Sequence, residues 1–222
     1  MSHMQAMRGL FITVEGGEGV GKSTNITCIR DYLQARGVAL VVTREPGGTP
    51  LGEDIRTVLL QARRETVAPM AELLLLFAAR AQHLRDVIVP ALEAGKWVIC
   101  DRFTDASYAY QSGGRGLDSG AVRTLENLVQ GELRPDYTLL LDAPAVTGLE
   151  RARGRGELDR FEQEELVFFE RVRNTYLQLA TESSGRYHLI DASQPLASVQ
   201  QQLHTICEQL HACWAPRQQQ LR

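Results

Sequence analysis

No stretch of this 222-residue chain stays apolar for the roughly 18 residues that a membrane-spanning helix needs, and no signal-peptide pattern is visible. Cysteine is scarce. Cys28, Cys100, Cys207 and Cys213 form neither a C-x-x-C pair nor a disulfide-dense pattern, which points to reduced thiols in a cytoplasmic setting. An excess of one charge is missing too. The 24 Lys and Arg against 27 Asp and Glu leave a formal net charge of −3, so neither a nucleic-acid coat nor an anionic-membrane binder is expected. There is no internal repeat and no low-complexity linker. With 44% of its residues hydrophobic, the chain can build one substantial core, and a single domain over residues 8–214 is expected. The opening MSHMQAM, residues 1–7, reads as a tag or a short native start, and APRQQQLR, residues 215–222, as a polar frayed tail.

What the chain does have is alternation. LFITVE (10–15), VALVVT (38–43), WVIC (97–100), YTLLLD (137–142) and YHLID (187–191) read as short buried strands. Helical periodicity runs from Lys22 to about Arg36, from Leu51 to Leu60 and from Ala68 to Ala94, the last interrupted near Pro90 and closed by Gly95. The pattern predicts an α/β fold, a parallel sheet with right-handed crossovers and helices on both faces.

The first strand leads into EGGEGVGKST. Gly16, Gly21, Lys22 and Ser23 satisfy G-x-x-x-x-G-K-[ST] between a strand and a helix, which is the context a P-loop requires. Such a loop, here Gly16, Gly17, Glu18, Gly19, Val20, Gly21, Lys22, Ser23 and Thr24, turns backbone N–H groups around the phosphates of a nucleoside triphosphate such as ATP. Lys22 would reach the β- and γ-phosphates, and Ser23 would hold Mg²⁺. A GTP switch is disfavoured, because no N-K-x-D sequence is present and no D-x-x-G follows the third strand.

Ligands of open parallel sheets sit beyond the carboxyl ends of the strands. Three further ends carry unusual polar groups: TREPGG with Arg44 and Glu45, DRF with Asp101 and Arg102, and LDAP followed by a helix into RARGRGELDR. Asp101 could hold a metal-bound water and Arg102 a phosphate; a strand-end salt bridge reads the pair alone equally well, and the P-loop on the neighbouring strand favours the functional reading. Arg151 suits a helix C-terminus, whereas Arg153 and Arg155 lie beside glycines, where a hinged lid over residues 151–162 could bring guanidinium groups onto a transferring phosphoryl group.

GGEGVGKS, TREPGGT, LLLLFAARAQH, DRFTDASYAYQSGGRG and ARGRGELDRFEQE together resemble the bacterial thymidylate kinase family, in the family's order and over residues about 10 to 165. The resemblance implies a five-stranded P-loop kinase fold with an arginine-bearing lid, a homodimer, and transfer of the γ-phosphoryl group of ATP to dTMP. It also implies that Arg44 and Arg102 grip the dTMP phosphate, that Phe77 packs on the thymine ring and that Arg80 donates to its O4. Ser107 and Gln111 would face the polar edge of the base, and Tyr110 would lie under the deoxyribose. Arg155 would be the catalytic lid arginine. Phe77 and Arg80 are three apart, while many members space this pair by four, which here falls on Leu76; either Leu76 meets the ring or the helix is rotated.

Glu18 sits oddly in a phosphate cradle. At about 6 Å and an effective dielectric near 20, its carboxylate would repel each phosphate charge by roughly 3 kcal/mol. It is therefore expected to point away from ATP towards the acceptor nucleotide, on the 3′-hydroxyl of its sugar or on a metal-bound water. Other readings of the chain are a kinase with a different nucleotide acceptor, a regulatory ATPase or switch, and a nucleotide-binding module.

Overall fold

The computed structural model describes residues 8–61, 65–154, 159–162, 164–183 and 185–219. Its five strands are β1 (Phe11–Glu15), β2 (Leu40–Arg44), β3 (Trp97–Asp101), β4 (Tyr137–Asp142) and β5 (Tyr187–Asp191), all parallel, in the spatial order β2-β3-β1-β4-β5. The expected strands stand within two residues of these bounds.

The side-chain period of two explains how helices cover both faces of the sheet. Ile12, Val14, Trp97, Ile99, Leu139 and Leu141 point to one face and pack with α1 (Lys22–Gln34) and α9 (Leu196–Gln219). Their neighbours Phe11, Val98 and Cys100 point the other way, against residues 84–92 and Phe103. Leu140 meets Phe168, Phe169 and Val172 of α8 (Leu166–Glu182) on that same side.

Two helical segments widen locally. The long helix expected from Ala68 to Ala94 is α3 (Pro69–His83), a π-helical stretch over Leu84–Ile88, and α4 (Val89–Glu93). Pro90 has no N–H and would clash with the carbonyl of residue 86 in a regular helix, and the wider turn accommodates it. A second π-helical stretch, Tyr108–Gly114, follows the short α5 (Thr104–Ser107). The remaining helices are α2 (Pro50–Leu60), α6 (Ser119–Gln130) and α7 (Ala145–Arg153).

At the C-terminal end, α9 runs on through residue 215 as far as Gln219. Trp214 stands edge-on to the fully buried Trp97, with ring centroids 5.3 Å apart, and this contact anchors the late turns of the helix.

Candidate active site

Strand register assembles the site. Arg44 and Asp101 are partners at the ends of β2 and β3, and Asp101 also pairs with Val14 of β1, one residue before Glu15. The polar strand ends are therefore level around the loop that follows β1.

That loop opens α1 through Gly21, whose φ of 86° is left-handed, and no side chain caps the helix. The first turn carries no acid, so its N–H groups and the positive end of its dipole are open to an anion. Gly21, Lys22 and Ser23 line a solvent-open cavity of about 980 Å³ together with Arg44, Asp101 and Arg102. Lys22 Nζ donates to the carbonyls of Gly17 (2.8 Å) and Gly16 (3.3 Å), and burial, followed by the Arg102 charge, lowers its pKa. Val20 and Thr24 do not line this cavity. The Val20 side chain is in the core and Thr24 is exposed on another face of α1, so neither side chain faces this cavity. Behind the loop, α7 comes very close: a methyl on Gly19 would lie 1.8 Å from the Gly148 carbonyl oxygen.

Asp101 Oδ1 is buried without a hydrogen-bond partner, and Ser23 lines the same cavity. Among the described residues no cluster of three or more His, Cys, Asp or Glu could hold a metal ion. A hydrated Mg²⁺ drawing its other ligands from phosphates fits this sparse donor set.

Arg102 is the one non-glycine residue with a positive φ (67°) among those described. That conformation costs about 1–2 kcal/mol for a residue with a Cβ. It is held by the Arg102 N–H bond to Val14 O and by three side-chain donations: Nη2 to Glu18 Oε1 (2.6 Å), and Nη1 to Gly16 O (2.9 Å) and to the Tyr176 hydroxyl (3.3 Å). Burial opposes its charge, but the Tyr110 and Glu18 groups around it keep its pKa above the ordinary arginine value. Tyr176 in turn donates to Glu15 Oε2, while Glu15 Oε1 accepts the Phe103 N–H. Burial first, and the Asp105 carboxylate next, drive the Glu15 pKa up to about 7. The Asp101–Arg102 sequence is thus no simple strand-end salt bridge: the Arg102 ion pair runs to Glu18.

The Glu18 carboxylate is turned to Arg102 and Tyr110. Its Oε1 accepts from Arg102 and from the Tyr110 hydroxyl (2.8 Å). Both residues line a second hollow of about 630 Å³, which shares Glu18, Glu45, Arg56, Arg102 and Asp159 with the first. The two hollows therefore adjoin along these five residues.

The second hollow is also lined by Arg80, Ser107, Tyr110 and Gln111. Arg80 Nε donates to Glu45 Oε2 (2.7 Å) and Nη2 to Ser107 Oγ (3.1 Å), while the buried Nη1 has no partner. Gln111 Nε2 donates to Glu72, and its buried Oε1 has no partner. Tyr110 and Gln111 both belong to the π-helical stretch, a widening that recurs at functional sites.

Phe77 is a correction. It does not line the hollow; its ring is buried with Leu73 and Val122 and lies under the Arg80 guanidinium at 4.4 Å. Leu76 lines the hollow in its place, with Phe103 and Ala106. Arg44 lines the first hollow, as Arg102 does, and its Nη2 pairs with Glu53 (2.8 Å). Arg151 donates to Ala192 O (2.9 Å), and Arg153 is the exposed last residue of α7. Arg155 lies outside the described residues.

Sequence reasoning missed Arg56, which lines both hollows. Its signal was weak: one arginine on a helix that opens from the REPGG turn. Glu45 stood out only as a strand-end acid. In the structure it bridges Arg80 and His83, and the His83 ring bonds Thr43 Oγ1 in turn.

Comparison with known proteins bears directly on this arrangement. Residues 14–203 match the family model described as thymidylate kinase. The chain belongs to the thymidylate kinase family. Thymidylate kinase of Pseudomonas savastanoi pv. phaseolicola is 58% identical over 204 residues, covering 92% of this chain and 97% of that protein. Its counterpart from Teredinibacter turnerae is 55% identical over 202 residues, covering 91% and 98%. Among solved structures, thymidylate kinase from Ehrlichia chaffeensis superposes with a TM-score of 0.69 at 34% identity, covering 82% of this chain and 93% of that one. The family likeness extends to both hollows, since residues 14–203 include every described residue named above as lining them.

Proposed function

We propose that the chain transfers the γ-phosphoryl group of ATP to the 5′-phosphate oxygen of dTMP, giving dTDP and ADP. One observation carries this reading: two unpaired polar atoms, Arg80 Nη1 and Gln111 Oε1, belong to side chains of a largely apolar hollow adjoining the phosphate cradle. They offer one donor and one acceptor. Thymine has an acceptor at O4 and a donor at N3, whereas cytosine reverses both, so a cytosine base would leave both protein atoms mismatched.

In this reading Lys22 and the first turn of α1 hold the ATP phosphates. Arg102, with Arg44 and Arg56 near it, holds the acceptor phosphate where the hollows meet. Glu18, fixed by Arg102 and Tyr110, lies beside the acceptor sugar, and Tyr110 packs against the deoxyribose. Leu76 and Phe103 cover the base in the role first expected of Phe77. Arg155 supplies the lid cation to the transferring group. Ser23 and a water on Asp101 would hold Mg²⁺, which neutralises phosphate charge when bound. The acceptor phosphate, with a second pKa near 6, is already an anion at neutral pH, so no strong general base is needed. Catalysis is then positioning and charge stabilisation along an in-line path.

The same reading has one catalytic domain over residues 8–214, in the cytoplasm, acting as a homodimer. Exposed Met70 and Leu74, one helical turn apart on α3, are apolar surface that a subunit contact would cover.

The test is ADP release with single acceptors. dTMP alone should sustain turnover, with dCMP and AMP far slower. ATP hydrolysis as fast without an acceptor as with dTMP would overturn the proposal.

A further inference from the structure

Glu72 is fully buried on α3 and lines neither hollow, yet three side chains converge on its carboxylate. Oε1 accepts from Gln111 Nε2 (2.9 Å) and, at 3.4 Å, from Arg115 Nε; Oε2 accepts from Arg160 Nη2 (2.5 Å). An ionised carboxylate has no proton to donate, so only the NH₂ end of the Gln111 amide can face it. The opposite end of the amide, Oε1, is thereby fixed as the acceptor in the base hollow. Left alone, an amide could turn over and present a donor instead.

Arg160 belongs to the segment that follows the arginine-rich turn, and its own backbone and Nε bond the carbonyls of Leu60 and Leu59. Its neighbours Asp159 and Phe161 line the base hollow, but Arg160 does not. Phe161 stands edge-on to Tyr110 at 6.1 Å, and Glu164 pairs with Arg115 (2.5 Å). One buried carboxylate therefore joins the base-reading amide to the seating of residues 159–164.

We propose that Glu72 is a positioning residue that sets base selectivity by locking the Gln111 amide, and that Arg160 supports this lock from outside the hollow. The inference rests on the dTMP reading above. Its measure is the ratio of kcat/KM for dTMP to that for dCMP.

Glu72→Gln replaces an obligatory acceptor by an amide that can turn, so the ratio should fall about tenfold, the size of one buried hydrogen bond exchanged for a mismatch. Arg160→Gln should lower the ratio several-fold although residue 160 does not line the hollow, while KM for ATP stays near wild type. Thermal melts establish that each variant is folded. If Glu72→Gln does not melt cooperatively, Arg160→Gln decides, because it keeps the buried carboxylate. An unchanged ratio in a folded Glu72→Gln protein, or in Arg160→Gln where that variant decides, overturns the inference. Wild-type protein that does not prefer dTMP to dCMP overturns the dTMP reading instead.

Discussion

The phosphate cradle and the base hollow share Arg102 and are built by different means. The cradle is one contiguous loop, and its binding groups are main-chain N–H donors at an uncapped helix start. The base hollow is assembled from side chains whose bonding partners are 27 to 39 positions apart: Arg80 with Ser107, Arg80 with Glu45, and Gln111 with Glu72. A site written in the main chain depends on conformation. A site written in buried charge pairs depends on every partner being present.

The sharpest way to break this contrast is Glu45→Ala. It strips the buried Arg80 and His83 of their shared acceptor, and losing one member of a buried ion pair typically costs about 3–5 kcal/mol. Denaturant unfolding should register a loss of that size, and KM for dTMP should rise while KM for ATP stays near wild type. Equal rises in both would mean that cradle and hollow are not separate constructions.

Glu15 probes the ground between the two. Its native pKa, about 7, is above the ordinary 4.5, so the folded protein binds this proton more tightly than the unfolded chain. The linked stability is fully present below about pH 4.5 and is lost as pH rises through 7, by at most about 3 kcal/mol. Glu15→Gln removes the titration, so melting temperatures measured from pH 4.5 to 8 should show the variant gaining on wild type as pH rises. A constant difference across that range would refute the assignment.

The smallest expected effect is at the seam. Glu18→Gln keeps an acceptor for Arg102 or Tyr110 but removes the charge. Steady-state kinetics should show KM for dTMP rising several-fold with KM for ATP unchanged. The opposite split would place Glu18 with the cradle.

Most of the fold was legible in the sequence because buried parallel strands are continuous apolar runs, and the cradle was legible because its glycines and lysine are contiguous. The base hollow was legible only through resemblance. LLLLFAA is apolar all round, so it gives a helix no rotational phase, and nothing in it says that Leu76 faces the hollow while Phe77 faces the core. The π-helical turn that carries Tyr110 and Gln111 left no periodicity to read over its seven residues. Nothing in the sequence singles out Glu72, since its three partners come from distant segments.

The tight approach of α7 to the cradle narrows what protein engineering can do here. Replacing a glycine inside a helix by alanine is a standard route to a more heat-resistant enzyme, with a gain of about 1 kcal/mol. At Gly148 that route is closed: the added methyl would lie 2.2 Å from the Glu18 carbonyl oxygen and would have to push the loop out of shape. A library selected for heat resistance would therefore keep glycine at position 148, because the close approach of the loop leaves no room for a side chain there.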